Sequence, residues 1–113
     1  MVPRAAEVIL SDAAEAALDT LRRSSDPAAR SILRRVDYYQ QRLLADCLDG
    51  EVIPCPLPRK AKALQARHGL LDNLYCCDLP GFWRLLYTVT RADGRPYVYV
   101  LEIVDHQAYD KWF

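Results

Sequence analysis

Three runs rich in aromatic and β-branched residues, Leu74–Leu79, Phe82–Thr90 and Tyr97–Asp105, follow one another in the last third of the chain. Pro80-Gly81 separates the first two and residues 91–96, with Asp93-Gly94 at their centre, separate the last two, connections too short for a crossover. Consecutive runs are therefore expected to pair as antiparallel neighbours, Pro80-Gly81 making the first turn and Asp93-Gly94 the second. In the middle run Trp83, Leu85, Tyr87 and Val89 point one way, and Arg84, Leu86, Thr88 and Thr90 point the other. That alternation predicts one face on a core and one face half open. The run Tyr97–Asp105 is apolar on both faces, which predicts a central strand.

The first half has a different period. Ala5–Leu10, bounded by Pro3 and Ser11, reads as a short opening strand. Ser11 is a suitable N-cap, and Asp12 and Glu15 favour the positive end of a helix dipole. The helix so begun buries Ala14, Leu18 and Leu21 and stops near Ser24-Ser25. Asp26-Pro27 starts a second helix, with the proline at its first position. Its apolar stripe is Ile32, Val36, Tyr39, Leu43 and Cys47, and Gly50 is expected to close it. The two helices predict a hairpin whose joint apolar face covers the sheet. Pro54, Pro56 and Pro58 alternate, so that stretch is an extended connector. Pro58 can open a short helix Arg59–His68, which Gly69 ends, and His106–Phe113 forms a last short helix or turn. The expected order is β-α-α-(α)-β-β-β-α, an α+β sandwich with helices packed on an antiparallel sheet.

A chain of 113 residues, 51% of them hydrophobic, fits one domain, 1–113, with one real core. No apolar run has the length of a signal peptide or of a membrane span, so a soluble, cytoplasmic protein with no membrane partner is expected. Cys47, Cys55, Cys76 and Cys77 are then expected to stay reduced, as small buried hydrophobes. No CxxC pair marks a zinc site, and neither a metal nor a cofactor is implied. Net charge is zero, but its distribution is uneven. Residues 1–50 carry seven basic and eight acidic side chains, whereas Val52–Leu71 holds no acid and the cluster Arg59, Lys60, Lys62, Arg67 and His68. This is a local basic patch suited to phosphate contacts.

Three further residues are candidates for chemistry. Arg84 sits in a strand on the more polar face, where it must pair with an acid, Asp78 or Glu102, or face a ligand. His106 and Tyr109 are three apart after the last strand, so a helical turn projects both from one face. Histidine moves protons near neutral pH, and tyrosine can orient a phosphate or stack on a base. Asp105 or Asp110 is placed to orient His106. There is no Gly-rich phosphate loop, GxSxG or HExxH, which leaves nucleotide hydrolysis, esterase and zinc-protease readings without support.

Asn73-Leu74-Tyr75, the stretch Asp78-Leu79-Pro80-Gly81-Phe82-Trp83-Arg84-Leu85-Leu86-Tyr87, the stretch Val100–His106 and Tyr109-Asp110 together resemble the RelE/ParE toxin superfamily. In that family a strand carrying Tyr/Trp-Arg and ending in Tyr precedes a strand that leads to a His and a nearby Tyr. The strand–helix–helix opening matches as well, so the resemblance spans nearly the whole chain. It implies the RelE-like fold and the toxin of a type II toxin–antitoxin pair, with a cognate antitoxin protein as partner. RelE-like members cleave messenger RNA in the ribosomal A site, helping a ribose 2′-OH attack the adjacent phosphate. ParE-like members instead poison DNA gyrase without nuclease activity, and a non-toxic binding protein on the same fold is a third possibility. Carried over residue by residue, Arg84 matches the strand arginine that neutralises charge on the phosphate. His106 matches the general acid or base, and Tyr109 the C-terminal aromatic that orients substrate. Arg59, Lys60, Lys62 and Arg67 fall where members carry RNA-binding residues. Ribosome-dependent members are usually strongly basic, and this chain is neutral.

Overall fold

The computed structural model describes residues 3–53, 57, 59–69 and 71–113. Among these the chain runs β1 (Glu7–Leu10), α1 (Asp12–Arg23), α2 (Pro27–Ala45), β2 (Glu51–Val52), a 3-10 turn (Arg59–Ala61) leading into α3 (Lys62–His68), and β3 (Tyr75–Asp78). A 3-10 turn (Pro80–Phe82), β4 (Arg84–Ala92), β5 (Arg95–Val104) and α4 (His106–Trp112) complete it. The fold is α+β, with helices on both faces of an open five-stranded sheet in the order β1-β5-β4-β3-β2. Pro54, Cys55, Pro56 and Pro58 lie outside the described residues.

The α+β reading stands, with two corrections. The sheet is mixed rather than antiparallel, because β1 pairs parallel to β5, with Glu7 opposite Tyr97 and Leu10 opposite Val100. Tight turns dictate the direction of consecutive strands only, and most of the chain separates β1 from β5. A further edge strand, β2, pairs antiparallel to β3 where the sequence predicts connector. Two residues are too few to carry a period.

Local chemistry sets the helix starts. Ser11 Oγ accepts the Ala14 N–H at 3.1 Å and donates to the Leu101 carbonyl at 2.6 Å, so one cap both begins α1 and fastens it to the sheet. Asp26 caps α2 through the Ala28 N–H, with Pro27 in the first turn. The end of α2 differs from expectation. It stops at Ala45, and Cys47 is buried beyond the helix end. Gly50 serves another purpose: its N–H donates to Tyr87 Oη at 2.9 Å, and a Cβ there would lie 2.7 Å from Tyr87 Cε1.

α1 and α2 cover one sheet face, packing Ala14, Leu18, Ile32, Val36 and Leu43 against Leu85, Tyr87, Val98, Val100 and Ile103. The other face carries a smaller core in which Leu64 of α3 and Tyr109, Trp112 and Phe113 close over Leu74, Cys76, Leu86 and Leu101. A β-bulge joins the two. Leu86 stands opposite Glu102 but Tyr87 stands opposite Val100, so Leu101 is an extra residue in β5. The slip moves the first core from Val98 and Val100 to Ile103 and leaves both Leu101 and Glu102 on the second face.

Candidate functional site

Arg84 opens β4, opposite Asp78 on β3 and Val104 on β5. Its Nε lies 3.3 Å from Asp78 Oδ1, and its Nη1 donates to the Trp83 carbonyl at 3.1 Å. The Asp78 side chain is 76% exposed, so this ion pair contributes about 0–1 kcal/mol and gives way readily to a competing anion. The Arg84 guanidinium lies over the Tyr109 ring, 5.6 Å from its centroid, and Tyr109 leans on Phe113 at 4.8 Å. Burial pushes the Tyr109 phenol above its ordinary pKa against the opposing pull of Arg84, so it is a protonated donor at neutral pH. These groups border a cleft of about 380 Å³ with Glu51, Val52, Ile53 and Cys76.

His106 begins α4 and is exposed, with its ring edge-on to Phe82 at 6.2 Å. Asp105 does not orient it. That carboxylate caps α4, accepting the Ala108 N–H at 2.9 Å, which is the role its position before a helix favours. Asp110 contributes through its backbone, where Lys60 Nζ donates to its carbonyl at 3.1 Å. The structure thus joins Arg84 to Tyr109 and sets His106 against Phe82.

The basic run divides. Arg59 and Lys62 are exposed, and Lys60 turns to α4. Arg67 Nη1 donates to both Glu102 oxygens, at 2.9 and 2.8 Å, and His68 Nε2 lies 2.6 Å from Glu102 Oε2. Glu102 is therefore the partner of α3, and of the two acids expected for Arg84 only Asp78 serves.

The His68–Glu102 pair is the grouping that reading the sequence missed. Their side chains are 8% and 4% exposed, and His68 lines a cavity of about 660 Å³ with Ser11, Asn73, Thr88, Thr90 and Tyr99. The signal was present: Glu102 is the one acid in the run Val98–Val104, and a buried carboxylate requires a partner. Ser11 and Thr88 already spend their hydroxyls on main-chain carbonyls, so much of this lining is satisfied from within.

Cys47, Cys76 and Cys77 are buried free thiols. Burial pushes the Cys76 thiol up to about 11 and the Cys77 thiol up to about 12, which removes nucleophilic character at neutral pH. Cys55 lies outside the described residues. Among the described residues no cluster of three or more His, Cys, Asp or Glu is placed to hold a metal ion, and no helix is long and apolar enough to cross a membrane. Comparison with protein-family models, curated proteins and solved structures gives no match.

Proposed function

We propose that this chain is a RelE-like toxin of a type II toxin–antitoxin pair, a cytoplasmic endoribonuclease that cleaves messenger RNA at the ribosome. The observation that carries the reading is the Arg84–Tyr109 pair: a guanidinium held over a phenol at the mouth of an open cleft, loosely countered by a solvated carboxylate. In the proposed reaction a ribose 2′-oxygen attacks the adjacent phosphorus and the 5′-oxygen of the next nucleotide leaves. The products are a 2′,3′-cyclic phosphate and a 5′-hydroxyl. Arg84 displaces Asp78 for the phosphate and stabilises the charge that builds on it. His106, exposed at the start of α4, accepts the 2′-OH proton while water protonates the leaving oxygen, or protonates the leaving oxygen while water takes the 2′-OH proton. Tyr109 orients the phosphate, and Arg59, Lys60 and Lys62 hold the RNA backbone. A cognate antitoxin covers part of this surface with a segment that folds on binding.

A second reading has its own support. Glu51 and Asp78 share the cleft with Arg84, so its walls carry two carboxylates against one cation, and the chain as a whole is neutral. That balance favours a toxin of ParE type that binds gyrase, or a non-toxic binding protein, over one steered to ribosomal RNA. Induced expression in a bacterial host, with primer extension on a reporter mRNA, separates them. Growth arrest with in-frame cleavage, lost in both Arg84→Ala and His106→Ala, is the result expected. Arrest with intact mRNA points to the gyrase reading, and absence of arrest to a binding protein.

A further inference from the structure

Phe82 occupies a backbone conformation that its side chain disfavours. The turn between β3 and β4 places two successive residues in the left-handed region, Gly81 at φ 70° and Phe82 at φ 64°. The same chain meets a similar demand at the β4–β5 hairpin, where Asp93 at φ 54° and Gly94 at φ 74° supply residues that tolerate it. A bulky residue at positive φ is an outlier, and such strain persists only where something offsets it. Packing does not: Phe82 is 71% exposed, the most exposed large apolar residue among those described. Among the described residues its aromatic contact is His106, in a T-shaped arrangement at 6.2 Å, and no second ring stacks on it.

Two residues further on, Arg84 lies over Tyr109, which follows His106 by one turn of α4. We propose that Phe82 is a stacking platform for a nucleobase of the bound RNA, held upright by its strained turn while Arg84 takes the neighbouring phosphate. The occupant is a base rather than an apolar peptide because His106 meets the ring, Arg84 follows it by two residues, and a phosphodiester accompanies every base. The inference rests on the RNA-cleaving reading and adds to it a residue that determines position and binding. A stacked base contributes sequence-tolerant affinity, so the platform makes RNA contact without dictating a cleavage sequence.

The test is titration of the purified protein with a short, 2′-O-methylated RNA carrying 2-aminopurine, whose fluorescence falls on stacking. Wild type is expected to bind with quenching, Phe82→Ala to bind about tenfold more weakly without quenching, and Phe82→Trp to retain both. Phe82→Gly is expected to melt higher than wild type yet bind as weakly as Phe82→Ala, which separates loss of the platform from loss of the fold. Unchanged binding by Phe82→Ala, or wild-type binding without quenching, overturns the proposal. Cleavage is scored separately on reporter mRNA. Cleavage by the wild type with no Phe82-dependent quenching sinks the platform and spares the nuclease reading, and quenching without cleavage does the reverse.

Discussion

At the scale of single residues the most exacting fit is between Gly50 and Tyr87. The Tyr87 ring is fully buried, and its hydroxyl takes the Gly50 N–H at 2.9 Å. Burial raises the Tyr87 pKa well above that of free tyrosine, which keeps the hydroxyl intact at every ordinary pH. A side chain at position 50 would force a shift, because a Cβ would meet Tyr87 Cε1 at 2.7 Å and Oη at 2.8 Å. Gly50→Ala is therefore expected to cost about 1–3 kcal/mol through overpacking, read as a lower urea midpoint. An unchanged midpoint would show that the loop before β2 yields freely. From sequence this glycine reads as a helix stop, since nothing local reveals which buried ring approaches it.

Among the elements, α3 depends most on a distant partner. It has seven residues and no side-chain N-cap bond, so it does not persist on its own account. Leu64 anchors one side, and Arg67 and His68 bind Glu102 across the β5 bulge. Glu102→Gln keeps the shape but removes the charge, and is expected to cost about 1.5–3 kcal/mol, the usual worth of a hydrogen bond to a charged group. Hydrogen exchange should show α3 amides opening faster while β4 and β5 stay protected. Uniform loss of protection would mean that the cluster holds the whole sheet rather than one helix. The contrast in legibility follows the same line. The Ser11 and Asp26 caps, the Asp93-Gly94 hairpin and the alternation of β4 are readable because neighbouring residues determine them. The parallel seat of β1, the bulge at Leu101 and the Glu102 cluster come from pairings far apart in sequence, and only the solitary acid in an apolar strand hints at them. Within the site, Arg84 and Tyr109 are each visible as residues, but their contact depends on α4 folding back over the sheet.

For the whole molecule, buried thiols and the buried phenol set an alkaline limit. Cys76 and Cys77 rise from an ordinary 9.0 to about 11 and about 12 in the fold, and Tyr87 shifts the same way. Below their unfolded values both states keep these protons, so stability does not depend on them. As pH rises past about 9 the unfolded chain releases protons that the folded chain retains, and stability falls toward the folded values. The urea midpoint should hold from pH 7 to about 9 and then drop, less steeply in a Cys76→Ala/Cys77→Ala variant. Alkylation of Cys47, Cys76 and Cys77 at neutral pH should be slow until denaturant is added. A flat alkaline profile, or prompt labelling of all three described cysteines, would place them in contact with solvent.

Function at this scale turns on whether a neutral molecule with one guanidinium at its cleft cleaves RNA. The direct measurement is incubation of purified protein with ribosomes programmed with end-labelled mRNA, followed by analysis of the product ends. Fragments ending in 2′,3′-cyclic phosphate and beginning with 5′-hydroxyl are expected, reduced at least about 100-fold for Arg84→Ala, as when a group that stabilises transition-state charge is removed. Intact mRNA with the wild-type protein, or cleavage that Arg84→Ala leaves unchanged, contradicts the proposed reaction.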